Sequence, residues 1–296
     1  MRHAFLSSVM ALALLFVAAA SHAKPVVLSS LKPLTLIARE IAGTSADVDT
    51  LLPATASHHD YPLKTSDYGR LKDADLVLWV GPELESFLQK PLANLAPAKV
   101  ITAYYLKGIN WPAENHVADA QRGHQHEHDP HLWLDPRNAT LVAQAVAEKL
   151  IVVDSANKAQ YQQNLQLFAT KMKELDEKLK SSLKPVMGIG FAVYHEGFSH
   201  FVSHYGLHQV DYVTFTPEQK PGARHLLQLR EALMKEGKCL FLEPYNDTQS
   251  ARDLALELHL RIGELDALGV RGEPTYEQLL EQMADAFSAC LTNRRN

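Results

Sequence analysis

The chain has 296 residues, 46% of them hydrophobic and 21% charged, with a formal net charge of −5. A mildly acidic balance argues against a nucleic-acid binder, which needs basic surface. The length suits two domains of ordinary size.

The amino terminus reads as a secretion signal covering residues 1–23. Arg2 is followed by a nearly continuous apolar run from Leu6 to Ala20. Ser21-His22-Ala23 then places small residues at the −3 and −1 positions of a cleavage site. The run is short for a membrane span, and no later segment is apolar enough to be one. No cysteine lies near the cut, so no lipid anchor is expected. Loss of Arg2 moves the net charge from −5 to −6. These features predict a soluble periplasmic protein of a Gram-negative bacterium. In that oxidising compartment the two cysteines, Cys239 and Cys290, are expected to form a disulfide; a pair of thiolate metal ligands is the alternative.

Next come alternating strands and helices. Val26–Leu28 reads as a buried strand, followed by a helix over Pro33–Ile41. Val48–Leu52 is a second strand, Ser66–Lys72 a helix, Leu76–Val80 a strand, Glu83–Leu95 a helix and Val100–Ala103 a short strand. Apolar strands without polar alternation, separated by helices, indicate a parallel sheet covered on both faces. Residues 110–130 break this rhythm with a polar, His-rich loop. A helix starting at Pro136 runs to about Leu150.

From Ser155 to Leu183 the apolar positions Tyr161, Leu165, Phe168, Met172, Leu175, Leu179 and Leu183 fall on one helical face. Such a helix is roughly 40 Å long at about 1.5 Å per residue, enough to lie along two lobes and join them stiffly. Pro185 ends it. The second half repeats the pattern: strands at Val186–Val193, Val210–Phe215, Cys239–Leu242 and Leu260–Gly263, and helices at Phe198–Tyr205, Gly222–Lys235, Thr248–His259 and Thr275–Leu291. The predicted fold is α/β, two similar lobes each with a parallel-type sheet flanked by helices, joined by one long rigid helix. The lobes are placed at residues 24–150 and 185–296, with the connecting helix at 151–184.

Histidines mark the chemistry. His124, His126, His128 and His131 form H-x-H-x-H-x-x-H, and His-rich tracts of this kind bind metals such as zinc. Three histidines, His131 among them, lie where α/β sheets build their sites, in loops just past a strand or just before a helix. They are His59 in Ser57-His58-His59-Asp60-Tyr61, His131 in His131-Leu132-Trp133-Leu134-Asp135-Pro136, and His195 in Tyr194-His195-Glu196-Gly197. Asp266 occupies a comparable loop and could supply an oxygen. Glu196 could orient a histidine from behind or be a plain surface carboxylate. Glu243-Pro244 reads as structural.

These segments, with Ser66-Asp67-Tyr68-Gly69-Arg70-Leu71-Lys72-Asp73-Ala74-Asp75-Leu76, Trp79-Val80-Gly81-Pro82-Glu83-Leu84-Glu85, Pro221-Gly222-Ala223 and Leu265-Asp266-Ala267-Leu268-Gly269, resemble the cluster A-I substrate-binding proteins of metal ABC importers, most nearly the zinc-specific ZnuA type. The resemblance covers essentially the whole mature chain. It implies a metal held between the lobes, with the zinc histidines at His59, His131 and His195. The fourth position falls to Asp266 or water. Some relatives use a Glu just before the first histidine, but here that residue is His58. Adjacent side chains are expected to diverge, so His58 and His59 are not expected to share an ion. His124, His126 and His128 resemble the variable secondary metal loop of the zinc members, with Glu127 and Asp129 interleaved; a solvated linker is the plainer reading.

The expected function is capture of Zn2+ in the cleft and delivery to an inner-membrane ABC permease driven by its ATPase. The protein is read as a monomer with no nucleic-acid partner and no catalytic residues. Manganese or iron carriage on the same fold and a periplasmic zinc buffer or chaperone are the alternatives. A secreted zinc hydrolase, with water at an open fourth position, is the rival from another class. It lacks an H-E-x-x-H helix.

Overall fold

A computed structural model describes residues 23–112, 128–272 and 274–292. Nearly all of the leader, together with His124 and His126, lies outside the described residues. Among these residues no helix is long and apolar enough to cross a membrane.

The first lobe contains β1 (Val26–Ser29), α1 (Lys32–Ala42), β2 (Asp47–Thr50), α2 (Thr65–Asp73), β3 (Leu76–Trp79), α3 (Gln89–Ala93), β4 (Val100–Thr102) and α4 (Pro136–Val153). Its strands pair in parallel in the order β2-β1-β3-β4, with Val27 opposite both Val48 and Leu76. The second lobe contains β5 (Gly190–His195), α6 (Ser199–Tyr205), β6 (Gln209–Thr214), α7 (Ala223–Glu236), β7 (Gly237–Leu242), α8 (Gln249–Glu257), β8 (Arg261–Glu264) and α9 (Tyr276–Thr292). Its sheet is also parallel, in the equivalent order β6-β5-β7-β8. The fully buried central strands β3 and β5 are the continuous apolar runs that a doubly covered parallel sheet requires. In each sheet the chain leaves the central strand pair in opposite directions, and a crevice opens at the carboxyl ends of the strands.

The connecting helix, α5 (Lys158–Leu183), spans 26 residues. Tyr161, Phe168, Met172, Leu175, Leu179 and Leu183 are buried along it, as the apolar period predicted; Leu165 is only half-buried. Burying each such side chain contributes about 1.5–3 kcal/mol, so packing rather than helix propensity holds this element. One end is tied to lobe one, where Asn164 Nδ2 donates to the Ile41 carbonyl at 2.9 Å. The other is tied to lobe two, where Lys178 meets Glu281 at 2.5 Å. Besides a second, smaller core around Ala192, Leu229 and Leu240 that belongs to lobe two, one hydrophobic core runs through both lobes, from Val27 to Leu291. Buried polar bonds cross it: Trp133 Nε1 donates to the Ala267 carbonyl (2.9 Å) and the Tyr276 hydroxyl to the Trp133 carbonyl (2.5 Å). A continuous core with satisfied bonds across it disfavours large rigid-body opening.

Two predicted elements differ. The helix expected over Glu83–Leu95 is broken into a 3-10 turn at Ser86–Leu88 and the short α3. Pro91 is the reason: within one long helix it would delete a hydrogen bond, whereas in the first turn of α3 its missing N–H is not needed. The strand expected from Val186 begins only at Gly190, because Pro185 starts a 3-10 turn at Lys184–Val186. Cys239 and Cys290 are joined, with Cα atoms 6.2 Å apart across 51 residues of sequence. A loop of that size corresponds to about 4 kcal/mol of unfolded-state entropy. The bridge staples β7 to α9.

Candidate metal centre

Each lobe presents histidines at the carboxyl end of its sheet. In lobe one the chain leaves β2, buries Leu51 and Leu52, and turns at Ser57. The Ser57 hydroxyl oxygen accepts the backbone N–H groups of His59 (3.1 Å) and Asp60 (3.2 Å). This side chain-to-backbone turn corrects the expectation that His58 and His59 diverge. Side chains of adjacent residues point apart in a strand, but on this turn the two rings lie side by side, with centroids 4.3 Å apart. His131 precedes a buried 3-10 turn, Leu132–Leu134. Asp135, which caps α4 by accepting the Arg137 N–H, follows that turn. His195 is the last residue of β5 and fully buried.

Ligand nitrogens of His58, His59, His131 and His195 all lie within 4.8 Å of one another. His131 Nε2 is 3.2 Å from His58 Nε2 and 3.3 Å from His195 Nε2. Nitrogens about 2.0–2.1 Å from a tetrahedral zinc sit about 3.3 Å apart, so the spacing is that of neighbouring ligands. Between His131 and His195 a hydrogen bond does not account for it. His195 Nδ1 lies 2.5 Å from Glu243 Oε2 and His131 Nδ1 lies 2.7 Å from Asp129 Oδ1. Each imidazole therefore places its proton on Nδ1, toward a carboxylate, and turns the Nε2 lone pair into the cluster. Lone pairs facing one another at this distance call for a cation between them.

Both carboxylates are built in. Glu243 is buried, and also accepts from the Tyr245 hydroxyl (2.6 Å) and Asn246 Nδ2 (3.1 Å). Asp129 accepts from the Ser199 hydroxyl (2.5 Å) and backbone N–H (3.2 Å). Burial works to raise the Asp129 carboxyl, but the charges and hydrogen bonds of His131, His200 and Ser199 prevail and hold it far below the usual carboxylate range. Burial alone would pull His195 down; Glu243 overcomes this by charge and hydrogen bond and leaves the imidazole above its ordinary value. His58 is pulled well below 6.5, first by burial and then by the neighbouring His59, His131 and His195. Its Nδ1 has no hydrogen-bond partner among the described residues. Gly197 closes the site from the lobe-two side. A Cβ there would meet the His195 ring and come within 3.0 Å of the His131 ring, so the backbone approaches as only glycine permits.

Several residues are placed differently from the sequence reading. Glu243 is no mere strand end, since it orients His195. Asp129 serves His131 rather than the loop. Glu196 accepts from Gln209 Nε2 (2.7 Å). Asp266 is outside the histidine group; its two oxygens accept the backbone N–H groups of Leu268 (3.2 Å) and Arg271 (3.0 Å). Of the loop histidines, His128 stacks on Trp111 at 4.6 Å. Sequence gave little warning of Glu243, because nothing local shows that β7 lies beside β5.

A family model described as the periplasmic component A of the zinc-uptake complex matches residues 27–290. The chain belongs to the ZnuA family. It is 33% identical over 292 residues to the high-affinity zinc uptake system protein ZnuA of Yersinia pestis, covering 91% of this chain and 92% of that one. The protein of the same name from Haemophilus ducreyi is 33% identical over 315 residues, covering 97% and 99%. In structure it is similar to a crystallised ZnuA (TM-score 0.78, 25% identity, 91% and 100% covered). It is also similar to AdcAII of Streptococcus pneumoniae (TM-score 0.77, 26% identity, 92% and 100% covered). The ZnuA fold thus accounts for the paired parallel sheets and the long helix between them.

Proposed function

We propose that this ZnuA-family protein captures Zn2+ between its lobes and hands it to an ABC permease coupled to an ATPase. The observation that carries the reading is the convergence of imidazole nitrogens from both lobes, two of them backed by carboxylates, Glu243 buried and Asp129 half-buried. A shell of nitrogen donors suits zinc, whereas manganese and magnesium favour oxygen. Four neutral imidazoles leave a buried divalent ion uncompensated. Asp129 and Glu243 lie one hydrogen bond behind the ligands and supply two negative charges.

We assign His59, His131 and His195 as ligands, with His58 rather than Asp266 in the fourth position. Both oxygens of Asp266 are engaged by backbone, and His58 already stands at ligand spacing from His131. A filled shell also favours transport over hydrolysis. The carboxylates behind the site, Glu243 and Asp129, are committed to histidine Nδ1 atoms and so are not free to act as a base on a metal-bound water. We further propose lobes at residues 24–150 and 185–296 with the helix between, a monomer, and a periplasmic location for the mature chain. Zinc calorimetry tests the ligand set. His58→Ala should weaken binding by at least tenfold and Asp266→Ala by less than about threefold, a split of roughly 1.4 against 0.6 kcal/mol. The reverse order would return the fourth position to Asp266.

A further inference from the structure

The Ser57 hydroxyl does more than cap the histidine turn. It has one proton to give, and it gives it across the cleft to Glu218 Oε1, at 2.5 Å. With the proton committed there, the lone pairs are aimed at the N–H groups of His59 and Asp60 that they accept. Glu218 lies on the loop that follows β6, and that loop is itself held. The buried Thr214 hydroxyl lies 2.6 Å from the Gln219 carbonyl oxygen and 2.8 Å from that of Thr216, and Gln219 N donates to Thr216 O at 3.1 Å. Thr214 in turn is the register partner of His195. A chain of bonds therefore runs from the strand pair that carries His195, through the Glu218 loop, to the turn that carries His58 and His59.

We propose that Glu218 is a positioning residue for metal retention, acting through Ser57 to hold the lobe-one histidine turn in ligand-presenting shape against lobe two. The inference rests on the ligand assignment above. Without the acceptor, the Ser57 hydroxyl is free to rotate toward water, and the turn loses the fixed lone pairs that make adjacent histidines converge. The hinge side of the interface is locked by the buried Trp133 and Tyr276 bonds, whereas the Glu218 bond is exposed at the mouth. Breaking it should let ions leave faster while arrival changes little.

Stopped-flow release of zinc from the full mature chain to a chromophoric chelator tests this with Glu218→Ala, Glu218→Gln, Ser57→Ala and the Glu218→Ala/Ser57→Ala double variant. Glu218→Ala should speed dissociation about three- to tenfold, the scale of one partly exposed hydrogen bond, with the association rate constant within about twofold. Glu218→Gln retains an acceptor and should restore most of the retention. Because Glu218 acts through Ser57, the double variant should release zinc no faster than Ser57→Ala alone. An unchanged release rate in Glu218→Ala, or effects that multiply in the double variant, overturns the proposal while leaving the ligand assignment standing. A parent protein that retains no zinc overturns both.

Discussion

His131 and His195 each donate an Nδ1–H hydrogen bond to a carboxylate, whereas His58 and His59 stand on a short turn organised by a serine hydroxyl. His195 is fixed from behind by Glu243 of a neighbouring strand, and His131 by Asp129, two residues away and itself held by Ser199, so both tautomers are set before any ion arrives. The second pair stands on a turn held by the Ser57 hydroxyl, which in turn is held from across the cleft. His58, held well below its ordinary pKa by burial and its histidine neighbours, is available as a neutral donor without a carboxylate to prepare it. One half of the centre is thus preformed and the other half conforms, which suits a carrier that must both bind and release.

The contrast can be broken most severely at Gly197. Gly197→Val places a branched side chain against the His195 and His131 rings and should abolish zinc binding measured by calorimetry, with the metal-free fold intact by circular dichroism. Retained binding would mean that the preformed half tolerates displacement.

A smaller effect is expected from Glu243→Gln, which leaves the His195 ring in place but removes its counter-charge. Loss of such an outer partner typically weakens metal binding about 10- to 100-fold. Nitrogen NMR of the imidazole should show His195 losing its single tautomer. If affinity and tautomer both survive, the carboxylate is not what prepares this ligand.

Acidification separates the two halves further. Zinc must displace a proton from any ligand that carries one. Glu243 holds His195 above 6.5 despite burial, so apparent affinity should begin to fall above pH 6.5 as pH is lowered, earlier than an unperturbed imidazole implies. His58, shifted the other way, should compete only at lower pH. In Glu243→Gln the buried His195 loses the group that raises it. Binding should then be weaker at pH 8 but less steep between about pH 6 and 8, the interval around the ordinary imidazole pKa. Equal slopes for the two proteins in a chelator competition titration would disconnect Glu243 from the proton that zinc displaces. The smallest change is expected at Glu196, whose carboxylate is taken up by Gln209. Glu196→Gln should leave zinc affinity within about twofold, the range of an ordinary surface substitution.

Much of this was legible in the chain. Apolar runs punctuated by Gly and Pro fixed the order of strands and helices, and the 3.6-residue period of Tyr161 to Leu183 located the connecting helix, because both signals are local. The same holds for His59 and His195, just past strands, and for His131, just before a helix, which stand out as candidates by their place in the chain. Where the reading failed, the deciding force was not local. The divergence rule for His58 and His59 assumed extended backbone, and the Ser57 hydroxyl, accepting two main-chain N–H groups, replaced it with a turn. Pro91 lay in plain view, but whether it would break a helix or begin one depended on what lay on either side.

Sequence alone determined the α/β lobes, the long helix, the cysteine pair and the identity of the strand-end histidines, since residue type, spacing and period carry that information without reference to distant neighbours. Only the tertiary structure decided that Glu243 stands behind His195 and that Ser199 secures Asp129. Glu243 reaches His195 because β7 pairs with β5, and Asp129 reaches Ser199 across 70 positions of chain. Hydrogen bonds are short-ranged and directional, so partners far apart in sequence become visible only once the sheets have brought them within about 3 Å of each other.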